Sequence, residues 1–207
     1  MKIAILVDLK LCKESGGHVK YWERICESIK NEDFIRNLDL SIFFLGDKSE
    51  TKFISKNINY KICRPIFSSG LLKFIGIDAD QTDLFPFNPF LFFKLKKFDL
   101  IHTTDQFFSM SKTAKIASKI WSIPITTSIH TDTPPYTRYY VEKVLRNFFC
   151  KLKIDDFLIN KLRLPNYFEN RMFQKIYKYI KVVDHAMVAD KIYSPKTLIS
   201  ISKNVSI

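Results

Sequence analysis

The chain opens on Lys2-Ile-Ala-Ile-Leu-Val-Asp8, five consecutive apolar residues closed by a carboxylate. Such a run is far shorter than the ~20 residues of a membrane-spanning helix. It also lacks the alternation of a half-exposed strand, so it reads as a central strand buried on both faces. A loop follows over Leu9–Gly17, containing Glu14-Ser15-Gly16-Gly17. His18–Lys30 then carries Val19, Trp22, Ile25, Cys26 and Ile29 at helical spacing, with one apolar face. Strand, glycine loop and helix in this order form the repeating unit of a parallel sheet.

The rest of the chain continues the alternation. Leu38–Leu45 reads as a second buried strand, closed by Gly46-Asp47, and Ile58–Cys63 as a third. Ser68–Lys97 is irregular, with Gly70, Gly76, Pro86 and Pro89 among many phenylalanines. Strands are expected at Phe98–His102, Pro124–His130 and Val182–Ala189. Helices are expected over Phe107–Trp121, Tyr139–Lys153 and Tyr167–Lys181, and Ser194-Pro195 begins a short terminal one. Short apolar strands alternating with helices imply an α/β fold: a Rossmann-like, mostly parallel sheet with helices on both faces, in a single domain over residues 1–207. In such sheets ligands bind outside the carboxyl ends of the strands. Those ends carry Asp8 to Gly17, His102 to Asp105, and His130 to Asp132.

Composition narrows the classes. Hydrophobic residues make up 46% of the chain and charged residues 26%, so a packed core is expected rather than disorder. Five apolar residues after Lys2 do not make a secretory signal. Cys12, Cys26, Cys63 and Cys150 are scattered with no CxxC pair, which reads as reduced thiols in a cytoplasmic protein. A net charge of +12 calls for an anionic partner among nucleic acid, a membrane surface or a phosphorylated substrate, although Lys-, Ile-, Phe- and Asn-rich compositional drift gives the same balance. No nucleic-acid motif is present. Arg138–Lys181 is dense in Lys and Arg, opposed only by Glu142, Asp155, Asp156 and Glu169. It is either a solvated helical face or a surface that docks on anionic lipid.

Several residues carry candidate chemistry. Gly16-Gly17 lies between strand and helix, where it either makes a tight turn or lets a phosphate approach the helix N-terminus. The pattern is neither GxGxxG nor GxxxxGK[ST], which disfavours a nicotinamide dehydrogenase and excludes a P-loop. His130 ends a buried strand, where an imidazole can donate to a sugar hydroxyl or a phosphate oxygen. His102 has a similar position, and His185 lies in an apolar run beside Asp184. Asp78-Ala79-Asp80 fits a carboxylate pair that holds a divalent cation on a nucleotide diphosphate, as in a complete metal-dependent GT-A-like transferase. Leu84–Phe93 is either core-filling loop or a greasy lip for a bilayer interface.

Taken together, four segments resemble the N-terminal half of a GT-B glycosyltransferase of the family 4 type. They are Ile3–Val19 with its Gly-Gly loop, FDLIHTTDQFF at Phe98–Phe108, IPITTSIHTDTPPY at Ile123–Tyr136, and VVDHAMVADKIYSP at Val182–Pro195. The resemblance implies an acceptor-binding Rossmann-like domain. In it Gly16 and Gly17 face the donor diphosphate, His130 lies catalytically beside the transferred sugar, and His18, Asp105 and Thr131 line the acceptor side. It implies retaining transfer from a nucleotide-sugar to a cell-envelope polysaccharide or lipid-linked acceptor, with no metal or other cofactor. The family's nucleotide site lies in a second, C-terminal domain that residues 1–207 do not include. A donor-binding half or partner chain is therefore expected, as is peripheral association with the inner face of the plasma membrane. Without that half the chain is expected to be inactive. A non-enzymatic basic docking module is the alternative from another class.

Overall fold

A computed structural model describes residues 1–12, 15–71, 81–130, 132–149 and 154–188, together with the backbone of Val205–Ser206. Its strands are β1 (Lys2–Lys10), β2 (Asp39–Leu45), β3 (Glu50–Ser55), β4 (Ile58–Cys63), β5 (Leu100–Thr103), β6 (Ile125–Ile129), β7 (His185–Val188) and β8 (Val205–Ser206). Its α-helices are α1 (Gly17–Ile29), α2 (Pro89–Leu95), α3 (Ser109–Trp121), α4 (Thr133–Phe149) and α5 (Leu164–Ile180). The strands form one sheet in the order β3-β4-β2-β1-β5-β6-β7-β8. Every neighbour pair is parallel except β3–β4. The expected Rossmann-like α/β architecture is what the chain adopts.

Period-two alternation sorts the core into two layers. Ile5, Val7, Ile42, Phe44 and Ile58 pack with Val19 and Cys26 of α1. Ala4, Leu6, Phe43 and Ile101 face the other way, against Leu91 and Leu95 of α2, Ala114 and Ala117 of α3, and Tyr179 of α5. Small residues on α3 let it lie close on the sheet. β1 is buried from Ala4 to Asp8 because both layers cover it.

Four elements differ from the sequence reading. β3 was not expected: Glu50–Ser55 carries no apolar alternation and is mostly exposed, and pairing with β4 holds it. α2 lies inside the stretch read as irregular. Asn88 caps it by accepting the Leu91 N–H at 3.0 Å, and Pro89 occupies its first turn, where no N–H is needed. α4 starts at Thr133 rather than Tyr139, since Pro134 and Pro135 fit a first turn. The last long strand begins at His185, because the Asp184 side chain turns back to accept the Ile125 N–H at 2.8 Å. Gly76, Asp78, Asp80, Thr131, Cys150 and the helix expected at Ser194-Pro195 lie outside the described residues. Among those described, Cys12, Cys26 and Cys63 are free thiols. No described helix is long and apolar enough to cross a membrane.

Candidate functional site at the carboxyl edge of the sheet

The chain order reverses at β1, whose neighbours are β2 on one side and β5 on the other, so the ligand edge of this fold centres on its carboxyl end. Two polar clusters gather there.

The first is imidazole-rich. β5–β6 register places His102 opposite Thr126, and alternation carries Ser128 and His130 onto the same side as Thr126. That side is the one α1 covers, since His102 also stands opposite Ile5. His102 Nδ1 lies 2.8 Å from Thr126 Oγ1, and its Nε2 lies 3.1 Å from Ser128 Oγ. The same Ser128 hydroxyl is 2.7 Å from His130 Nε2, so one hydroxyl links two imidazoles. From α1, His18 meets the His130 ring edge-on at 4.9 Å between centroids, Tyr21 meets it at 5.2 Å, and Trp22 meets His102 at 5.6 Å. Residues 18, 21 and 22 share a helix face, which is why one helix can supply all three. Burial lowers His130 to about 4, with His18 adding to the effect, and burial with help from His130 lowers His102 to about 4. Both rings are therefore neutral at pH 7. Ser128 donates to one Nε2 and accepts from the other, which ties the tautomer of His130 to that of His102.

Beside this cluster α1 begins without a side-chain cap and without an acid in its first turn. Gly16 has φ −65° and ψ 178°, open to any residue, and a Cβ on Gly17 would meet nothing within 4 Å. Gly16 thus needs no left-handed backbone and Gly17 no close packing, so neither of these two requirements explains the pair. An open depression of about 610 Å³ lies over one face of α1, lined by Gly17, Lys20, Tyr21 and Arg24 among residues of that helix alone. The sequence reading missed Lys20 and Arg24, although they stand three and seven residues after Gly17 on one helix face.

The second cluster is carboxylic. Asp8 Oδ1 accepts the Asp83 N–H at 3.0 Å and Oδ2 accepts the Met110 N–H at 2.7 Å. Asp105 Oδ1 accepts from Phe107 N–H, Phe108 N–H and Ser111 Oγ at 3.0, 2.8 and 2.7 Å. Together the two carboxylates hold the start of α3. Asp105 was expected to line the acceptor side; its Oδ1 accepts three hydrogen bonds from the turn leading into α3, while Oδ2 is sealed from solvent with no hydrogen-bond partner among the described residues. Burial raises Asp8 well above the usual carboxylate range, with the charge of Asp105 adding to it, and burial also raises Asp105.

A further cleft of about 330 Å³ opens at the ends of β1, β2 and β4, lined by Lys10, Asp47, Arg64, Ser68 and Gln81. Lys10 is held to Asp47 at 2.8 Å. Arg64 has no ion-pair partner among the described residues. This cleft was not legible beforehand, because its lining comes from four separate segments. No group of three metal-ligating side chains occurs among the described residues. No family model matches the sequence, and no curated protein matches it.

Proposed function

We propose that this chain is the acceptor-side half of a GT-B type glycosyltransferase, transferring a sugar from a nucleotide-sugar to a cell-envelope polysaccharide or lipid-linked acceptor. The observation that carries the reading is the meeting of His130 and His18 beside the uncapped, glycine-led start of α1. A helix start with free room and a positive dipole end suits a diphosphate. Lys20, held to Glu23 at 2.9 Å, and Arg24 lie on the helix face that starts at Gly17. A neutral imidazole beside that position suits a sugar hydroxyl, because it can donate or accept without a charge to desolvate. The Arg64 cleft on the same edge offers room for an acceptor. The reaction runs by fixed N–H donors and basic groups stabilising the leaving diphosphate. Residues that grip the nucleotide belong to a second Rossmann domain, on the same polypeptide or a partner chain.

The test is transfer of labelled sugar from a panel of nucleotide-sugars to envelope lipid extracts, by the chain assembled with its donor-binding half. His130→Ala is expected to lower kcat by about 100-fold while leaving nucleotide binding in place. Transfer that survives this change undiminished, or no transfer from any nucleotide-sugar, overturns the proposal.

A further inference from the structure

One face of the sheet carries a feature unrelated to the carboxyl edge. Register pairs Thr51 with Lys61 and Phe53 with Asn59, and pairs Lys61 with Phe43. All of them share the sheet face on which α2 packs. At the β3–β4 wing this face ends in Phe53, which is 80% exposed. On the same side of the sheet α2 buries Leu91 and Leu95 but turns Phe90 and Phe93 outward, 75% and 71% exposed. The two are three residues apart and so project from one side of the helix.

Lysines gather at the same place. Lys61 Nζ lies 5.4 Å from the centroid of the Phe98 ring and Lys97 Nζ lies 5.8 Å from the same centroid, so one ring holds two ammonium groups. Lys94 follows Phe93 on α2. Burial, then the charges of Lys97 and Lys94, bring Lys61 down to about 8, with Asp39 the one acid opposing them. Lys61, Lys94 and Lys97 form no ion pair among the described residues. In the Arg138–Lys181 stretch, read from the sequence as either a solvated helical face or a lipid-docking surface, Arg146 is paired with Glu142 at 2.9 Å and Arg138 with Glu169 at 3.8 Å. Like charges held together around the buried Phe98 ring cost stability, and an anionic surface removes that cost.

We propose that the α2 face docks on an anionic lipid bilayer, with Phe90 and Phe93 entering the interfacial layer and Lys61, Lys94 and Lys97 meeting lipid phosphates. The charge selects an anionic occupant. The outward phenylalanines select a bilayer over a free anion, which has no use for apolar side chains. The inference does not depend on the glycosyl-transfer reading.

Vesicle co-sedimentation of the whole chain tests it, using phosphatidylcholine vesicles with and without roughly one-third phosphatidylglycerol. The chain is expected to bind the anionic vesicles at low salt and to leave them as salt rises. Phe90→Ser with Phe93→Ser should weaken partitioning by at least about tenfold. Lys61→Gln with Lys97→Gln should weaken it about fivefold per charge on anionic vesicles only. Lys143→Gln with Arg146→Gln, on α4, should change it by less than about twofold. Inorganic phosphate at matched ionic strength should leave the chain bound. Four outcomes overturn the proposal: no retention by anionic vesicles, release by phosphate, an α4 variant as damaging as the α2 variants, or a lipid-free dimer that the phenylalanine substitutions dissolve.

Discussion

The carboxylate cluster and the imidazole cluster occupy the same edge of the same sheet, yet their hydrogen bonds end in different places. Asp8 and Asp105 spend their oxygens chiefly on backbone N–H groups at the start of α3 and in the segment at Asp83. His102, Ser128 and His130 spend theirs on one another, and the rings of His18 and Tyr21 close on His130 from α1. A carboxylate that satisfies backbone donors is part of the frame. The imidazoles are tied to side-chain hydroxyls rather than to the backbone, His102 through both ring nitrogens to Thr126 and Ser128, and His130 through Nε2 to Ser128. Position at a strand terminus therefore did not separate frame from candidate site here; the hydrogen-bond accounting does.

The sharpest way to break this contrast is Asp8→Ala. It leaves the Met110 and Asp83 N–H groups without acceptors, and each buried unpaired donor costs about 1–3 kcal/mol. The expected loss is about 3 kcal/mol or more in urea unfolding. Asp8→Asn, which keeps one acceptor oxygen, should lose about half of that. A loss of less than about 1 kcal/mol for Asp8→Ala would mean that Asp8 is not part of the frame.

The two clusters should also respond to pH with opposite sign. His102 is lowered from 6.5 to about 4. Between those values the unfolded chain binds a proton that the native chain refuses. Its contribution to stability is thus present above pH 6.5 and lost as pH falls toward 4. Asp8 is raised, so the native chain holds a proton longer than the unfolded one, and stability falls as pH rises above about 3.8. His102→Gln isolates the first slope. Relative to the parent, this variant should gain on the order of 3 kcal/mol between pH 7 and pH 4. Imidazole NMR titration checks the cause directly, and a His102 midpoint near 6.5 would remove it.

How much of this was legible in the sequence follows from what each feature depends on. The β1–α1 unit was readable because an unbroken apolar run and a three-to-four spacing are local signals. His130 was readable as the end of a strand. The link from His130 through Ser128 to His102 was not, because it needs the β5–β6 register, which only the folded sheet supplies. β3 stayed hidden because its residues are held by pairing rather than by burying an apolar face, and Phe53 points to solvent. α4 was begun late because two prolines read as breakers until their place in a first turn is known. Asp105 lay at the right edge, but a sequence does not say whether a carboxylate faces outward or back into a helix start.

A smaller effect separates the two carboxylates from each other. Asp8 uses both oxygens, whereas Asp105 uses Oδ1 alone and leaves Oδ2 sealed and unpaired. Asp105→Asn keeps an acceptor for Phe107, Phe108 and Ser111 and removes a charge that burial opposes. Its stability should stay within about 1 kcal/mol of the parent, or exceed it. A loss as large as that of Asp8→Ala would show that Asp105, unlike Asp8, acts through its charge.

The smallest effect bears on the glycines, where the same contrast between frame and site recurs. A Cβ on Gly46 would collide with the Ile62 side chain, so Gly46 is part of the frame. A Cβ on Gly17 would meet nothing within 4 Å, and Gly17 lies in the first turn of α1 without a left-handed φ. Gly17→Ala should therefore stabilise the chain by about 0.5 kcal/mol, chiefly by removing freedom from the unfolded state, and thermal unfolding would register the rise. On the proposed function its methyl group would also stand where the diphosphate approaches the helix start, so KM of the assembled enzyme for the nucleotide-sugar should rise about tenfold. Stability gained together with affinity lost is a combination that a structural glycine does not produce. If Gly17→Ala binds the nucleotide-sugar as the parent does, the α1 N-terminus is not the diphosphate site.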